Sequence, residues 1–312
     1  MGNILEPIPW ARRLKFRHLE VLLALHESGS LTAAAAQLHM TQPALSHWLA
    51  DMEDAVGRRL FVRSRKFALT QEGEVLCTHA ARMLGDVQRT HEDLQAVQSG
   101  LAGRLHVGTG LPRVLLPKAI ARLQQASPDV FISVTEAPPL ELIDRLASRE
   151  IDVIIGALSA TALQSGFAWE TLLPDSVQLV VRRGHPLLQR KKPRWRDTQA
   201  HPWILPPVDS VMRRALDEAF AAQGLPAPRP AVEANSSLRV QLLMGERDYV
   251  SILAASEVEL YGPWDILQPV PLAPVIPFPD IGALWDRDRT SALTTRFLEA
   301  LKDESRAMIA DR

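Results

Sequence analysis

Three side chains in a short span, Gln42, Ser46 and His47, are of the types that hydrogen-bond base edges and phosphates. At helical spacing they share one exposed face. Thr32, Thr41 and Pro43 flank them, and Arg63 lies between two short extended runs, Leu60 to Arg63 and Phe67 to Leu69. An arginine on such a hairpin reaches an adjacent minor groove, where the negative potential is strongest when the groove is narrow. The chemistry these seven residues suit is contact with double-stranded DNA. The plain alternative is a helical hairpin with a solvated charged loop, built from the same residues.

Bond-breaking chemistry has no comparable signature. No GxSxG elbow, GxxxxGK[ST] phosphate loop, HExxH zinc motif, GxGxxG turn or paired cysteines occur, and GTGLPR at 108–113 lacks the third glycine. The nine histidines are scattered rather than clustered with carboxylates. The single cysteine, Cys77, reads as a structural thiol in a reducing compartment. No catalytic residue, metal site or cofactor is therefore expected.

The elements that must position the DNA-facing residues are short helices. Thr32 is expected to cap an alanine run ending at Leu38, and His39, Met40 and Thr41 interrupt the periodicity. Thr41 then caps a second helix with Pro43 in its first turn, where a missing N–H costs nothing. Leu45, Leu49, Met52 and Val56 form its buried stripe and Gly57 ends it. Before these, Phe16, Leu19, Leu22 and Leu23 mark a first helix closed by Gly29. The spacing over residues 15–70 is that of a winged helix-turn-helix. Thr70 caps a long helix over 71–98, along which Leu76, Ala80, Met83, Val87, Thr90, Leu94 and Val97 alternate steps of four and three. A narrow heptad seam with charged flanks calls for a partner helix, so this is read as a dimerisation helix.

The chain has 312 residues, 46% hydrophobic and 23% charged, enough for two or three globular units. Net charge is −1, but residues 1–70 hold nine Lys/Arg against six Asp/Glu, the sign a phosphate backbone requires. No signal peptide or membrane span is evident, which places the protein in the cytoplasm. After Ser99, Gly100 and Gly103, strands and helices alternate, the rhythm of α/β layers with parallel sheets. Strands are expected at 104–108, 130–136, 151–156, 177–182, 203–205, 231–234, 249–253 and 281–285, with helices at 112–125, 138–148, 211–223, 237–245 and from 290 to about 308.

Two similar halves joined by crossings near 165–175 and 269–279 predict two lobes over 103–305, lobe I at about 103–168 and 276–305 and lobe II at about 169–275. In such sheets ligands lie outside the strand carboxyl ends, against helix N-termini. That rule selects Thr109, Gly110, Pro138 and Ala157 in one lobe and Asp209, Ser210, Asn235 and Ser236 in the other. Each is also an ordinary cap or turn residue. The cation-rich run from Gly184 to Arg196 reads as a solvated loop.

Thr32, Ala34, Ala35, Leu38, Gln42, Pro43, Ala44, Ser46, Glu53, Gly57, Leu60, Phe61, Arg63, Leu69, Thr70 and Gly73 together resemble the signature of the LysR-type transcriptional regulators. Two positions depart from it. His47 stands where the family usually has arginine or lysine, and Trp48 where a polar residue is common. The resemblance covers about residues 15–305. It implies a prokaryotic DNA-binding regulator whose linker helices pair antiparallel, giving a homodimer or homotetramer. It also implies a Rossmann-like, two-lobed effector domain similar to periplasmic binding proteins, in which Thr109 and Ser210 occupy ligand-contacting loops. The expected function is a regulator sensing a small anionic metabolite. The alternative is an enzyme or solute-binding module with an accessory helix-turn-helix.

Overall fold

A computed structural model describes residues 10–62, 67–110, 114–157, 166–234, 236–245, 247–261 and 266–310. The chain divides into two compact units, residues 1–104 with 144–151, and residues 105–143 with 152–312.

In the first unit, α1 (Phe16–Ser28), α2 (Leu31–Gln37) and α3 (Gln42–Val56) surround a core of Leu19, Val21, Leu22, Leu25, Ala34, Ala35, Leu45 and Met52. Each boundary has a local cause. Gly29 and Gly57 adopt left-handed φ of 60° and 72° and donate to the carbonyls of Leu25 and Glu53, closing α1 and α3. Thr41 Oγ1 accepts from the Ala44 N–H at 3.4 Å, as expected of an N-cap. The cap of α2 is Ser30, not Thr32: Ser30 leaves the helix in extended backbone and its hydroxyl accepts from Ala33, so Thr32 lies inside the first turn. Phe16, expected on the buried stripe of α1, is 57% exposed, because the stripe runs instead through Leu19, Val21, Leu22 and Leu25.

The wing is a short antiparallel pair, β1 (Phe61–Val62) with β2 (Ala68–Leu69). It is locked to its neighbours by polar groups. Glu53 of α3 is buried, and its carboxylate accepts from the Leu60 N–H at 2.9 Å and from Arg59 at 2.8 Å. The Thr70 N–H donates to the Leu60 carbonyl at 2.9 Å, and the Thr70 hydroxyl donates to the Arg59 carbonyl at 2.8 Å and accepts from Gly73 at 3.0 Å. Gly73 is required on steric grounds, since a Cβ there would overlap the Leu60 carbonyl oxygen. Beyond it runs α4 (Gln71–Gln98). Leu76 and Ala80 of the heptad seam are buried, whereas Met83, Val87, Leu94 and Val97 are exposed.

The second unit holds two sheets. The first runs β4 (Val130–Glu136), β3 (Gly103–Thr109), β5 (Val153–Ala157), β13 (Ile281–Trp285), β6 (Ala168–Leu173), with α5 (Leu115–Ala126) and α11 (Ala292–Ala310) sharing its core; α6 (Pro139–Ala147) buries Leu142 and Leu146, and its residues from Asp144 onward group with the first unit. The second runs β11 (Leu267–Pro269), β7 (Ser176–Arg182), β10 (Val250–Ala254), β8 (Trp203–Leu205), β9 (Pro230–Glu233), with β12 (Ile276–Pro277) also on β7. Val177, Leu179, Val181, Val250 and Ile252 pack on one face with Trp195, a short helix α7 (Trp195–Thr198) and α8 (Val211–Ala222). Val180 and Leu253 pack on the other with α9 (Ser236–Leu243) and α10 (Ala255–Tyr261).

β6 pairs with β13 and so belongs to the first sheet, whereas β12 pairs with β7 and so belongs to the second. The elements at 168–173, 255–261, 267–269 and 276–277 carry no clean period. Strand β6 mixes Glu170 and Thr171 with apolar residues, and the prolines of β11 and β12 sit where strand propensity is low.

Replacing Glu53 by alanine leaves the buried Leu60 N–H without its acceptor, at a cost of about 1–3 kcal/mol, and Gly73→Ala forces backbone apart at a cost of about 1–3 kcal/mol. Each is expected to lower the melting transition of the first unit by roughly 5–15 °C, whereas Glu72→Ala, at an exposed neighbour, is expected to change little. Thermal unfolding of the full chain checks this.

Candidate functional site

Thr41, Gln42, Pro43, Ser46 and His47 all lie exposed around the N-terminal half of α3, and Thr32 is exposed on α2. The structure brings these six onto the helix-turn-helix surface; Arg63 lies outside the described residues. The turn that aims α3 is sharp because His39 takes φ 54°, while Arg17 of α1 donates to the Leu38 carbonyl at 3.1 Å and closes the end of α2.

Charge is graded along α3. Its first nine residues, Gln42 to Ala50, contain no acid, so the positive end of the helix dipole is not offset. The acids lie in the second half: Asp54 pairs with Arg13, Asp51 stands 3.3 Å from His18, and Glu53 is turned inward. Anion contact is therefore favoured at the N-terminal half.

The departure at Trp48 has a packing explanation. Trp48 is half-buried, edge-on to His18 with ring centroids 4.7 Å apart, and Lys15 Nζ lies 5.7 Å from its ring. His18 is fully buried and accepts from the Lys15 N–H through Nδ1 at 2.9 Å. Burial lowers its pKa, against the opposing pull of Asp51, so it serves as a neutral spacer beneath α3. The sequence reading missed Glu53 and His18 as supports; a charged and a titratable residue on apolar stripes were the available signals.

The ligand candidates gather at strand carboxyl ends. Thr109 ends β3; its carbonyl accepts from Ala137 and the Gly110 N–H donates to Ile155, both at 3.4 Å, which draws Thr109, Gly110, Pro138 and the end of β5 into one rim. Thr109 is buried, and its hydroxyl oxygen has no hydrogen-bond partner among the described residues. Ala157, the last residue of β5, packs against the core of the other lobe, so this rim faces lobe II.

On the lobe II side Ser210 caps α8, its hydroxyl accepting from the Arg213 N–H at 3.1 Å, and Asp209 is exposed in the turn before it. Ser236 begins α9, and Asn235 lies outside the described residues. Arg239, which the sequence reading passed over, is buried in α9 and donates to the Ile252 carbonyl at 3.1 Å. Its guanidinium also lies 3.7 Å from Met212 Sδ in the first turn of α8.

The cation-rich run lies elsewhere. Lys191, Lys192, Arg194 and Arg196 are exposed around an open concavity of about 590 Å³ beside Gln223 and Leu225, past the C-terminus of α8 rather than its N-terminus. None of the four is buried, in keeping with a solvated loop. Among the described residues no helix is long and apolar enough to cross a membrane.

Comparison with known proteins bears directly on this arrangement. Residues 16–74 match the family described as bacterial regulatory helix-turn-helix protein, lysR family, and residues 98–306 match the LysR substrate binding domain. The HTH-type transcriptional regulator GbpR of Azospirillum brasilense is 32% identical over 281 residues, covering 89% of this chain and 82% of that one. The uncharacterized HTH-type transcriptional regulator YdcI of Escherichia coli (strain K12) is 32% identical over 254 residues, covering 80% and 82%. Among solved structures, CbnR, a LysR family transcriptional regulator, superposes with a TM-score of 0.61 at 22% identity over 94% of this chain and 99% of that one. Full-length CbnR complexed with its target DNA gives 0.60 at 22%, over 93% and 100%, and both likenesses support the fold. With one family covering the recognition helix and the other both lobes, the chain belongs to the LysR family, as a DNA-binding transcriptional regulator and not an enzyme.

Proposed function

We propose that the N-terminal half of α3 enters a DNA major groove, that α4 pairs two copies of the chain, and that the cleft between the lobes binds a small organic anion that controls DNA occupancy. The groove reading is supported by the acid-free, exposed face carrying Gln42, Ser46 and His47 at the positive end of α3. His47 donates one hydrogen bond where arginine would offer a bidentate fork, so base preference there is narrower in energy than for arginine. Pairing through α4 is supported by the exposed seam of Met83, Val87, Leu94 and Val97, which continues the stripe that Leu76 and Ala80 bury within the unit. Two copies then present two recognition helices to successive half-sites.

The single observation that carries the ligand reading is the buried Thr109 hydroxyl at the lobe I rim, without a hydrogen-bond partner among the described residues. A buried hydroxyl left unmet is costly, and a ligand acceptor or donor would satisfy it. The capped N-terminus of α8 at Ser210 biases that region toward anions. Small carboxylates, aromatic acids and sugar acids are the candidate anions. Control of DNA binding then requires the anion to prefer one arrangement of the lobes.

Ser46→Ala and His47→Ala are each expected to weaken binding to a duplex selected from a random pool by about fivefold, roughly 1 kcal/mol, and unequally among selected sequences. Asp54→Ala, which removes an acid from the same helix, is expected to hold or raise affinity. Fluorescence anisotropy measures all three, and unchanged binding by both alanine variants of the N-terminal half would remove α3 from the groove.

For the cleft, melting of the full chain is expected to rise with at least one member of a panel of aromatic carboxylates and sugar acids, by mass action on the folded state. Thr109→Val is expected to keep the unliganded melting temperature and to weaken that anion about tenfold. A folded protein indifferent to the whole panel, or an anion bound equally by both forms, contradicts this assignment.

A further inference from the structure

The turn that ends α6 holds a backbone conformation that side chains other than glycine rarely adopt. Ser148 follows the last helical residue and Arg149 takes φ 68°. The Arg149 N–H donates to the Leu146 carbonyl at 3.2 Å and the Glu150 N–H to the Arg145 carbonyl at 2.9 Å. In this paired-bond cap the left-handed position usually falls to glycine. Here an arginine occupies it, and its side chain, only 17% exposed, forms an ion pair with Asp86 of α4.

The neighbouring position on α4 is shaped to match. Gly85 faces the Ser148 carbonyl, and a Cβ there would overlap that oxygen and stand 3.2 Å from its carbon. A glycine in the middle of a long helix weakens that helix, so its value here is the close approach it permits. These contacts group residues 144–151 with residues 1–104, although Ile143 and Asp152, the residues on either side of the segment, belong to the second unit.

The segment is also tied onward along the chain. The Asp152 N–H donates to the His106 carbonyl and the Asp152 carboxylate accepts from the His106 N–H, both at 2.8 Å. From there β5 runs to Ala157 and β3 to Thr109, at the rim assigned to the ligand. At about 3.3 Å per residue, a five-residue strand spans roughly 16 Å.

We propose that the turn between α6 and β5 is a latch on the linker helix. Gly85 is the notch that receives the Ser148 carbonyl, Arg149 with Asp86 is the releasable lock, and β5 and β3 carry the state of the ligand rim to it. The regulatory half of this proposal rests on the ligand reading of the cleft, whereas the latch itself does not.

The test uses the full-length protein and no ligand. Asp86→Arg, Arg149→Asp and the double exchange are compared with the parent by hydrogen–deuterium exchange of peptides covering 82–90 and 144–151, with a peptide from α1 as the folding control. Each single reversal, and Gly85→Ala, is expected to speed exchange in both segments about tenfold while α1 stays protected. The double exchange is expected to return to the parent rate. Equal rates in parent and single variants, or no recovery in the double, would overturn the latch. The DNA bend angle on a selected duplex, read by circular-permutation gel shift, is expected to change in the single variants and to revert in the double. A bend identical in all four proteins overturns the regulatory role even where exchange behaves as expected. Because neither measurement contains an anion, failure of the ligand reading leaves both outcomes interpretable.

Discussion

A single backbone carbonyl, that of Leu60, organises the DNA-binding unit. It accepts from the Thr70 N–H and occupies the space over Gly73 that any larger residue would need. Glu53 holds the amide of the same residue from the recognition helix, and Thr70 ties the joint to Arg59 while capping α4. A buried carboxylate is costly unless its oxygens are met, and Glu53 has both a backbone amide and a guanidinium. The consequence is mechanical. α3, the β1–β2 pair and α4 share one hydrogen-bonded knot, with no flexible loop between α3 and the Leu60 joint.

The same principle governs the second unit, with different groups. Parallel strands end together, and each leads into a turn or a helix N-terminus, so polar groups collect at one rim. Thr109 is buried there without a hydrogen-bond partner among the described residues, whereas the buried Ser251 hydroxyl meets the Ile204 carbonyl at 2.6 Å. Hydrophobic cores on both faces of the second sheet hold its own strand ends in place, with Trp195 and Trp203 edge-on to Phe220 at 5.2 and 5.7 Å.

Much of this was legible in the sequence where a residue type has one strong local use. Thr41 before Pro43, glycine at 29 and 57, and Thr70 before a heptad run marked helix ends that the structure has. Positions decided by tertiary contact were not. Ser30 outcompeted Thr32 for the cap of α2 because both are good caps and only the chain direction chooses between them. Phe16 looked like core by period but lies at the first turn, beyond the reach of the other helices. Strand β6 was invisible because its pattern is set by insertion beside β13, a partner more than a hundred residues away. Of the candidate ligand loops, those holding Thr109 and Ser210 follow from the rule of strand ends, whereas buried Arg239 lies in an unremarkable helical stretch.

Coupling between the linker helix and DNA requires above all that α3 and α4 move as one body. Pulsed electron–electron double resonance between spin labels at exposed Ala50 of α3 and exposed His79 of α4, with buried Cys77 replaced by alanine, measures this in the full chain. A single narrow distance, unchanged when duplex DNA is added, is the predicted result. A broad or bimodal distribution in the free protein that sharpens on DNA would show that the joint at Leu60 does not hold the two helices together.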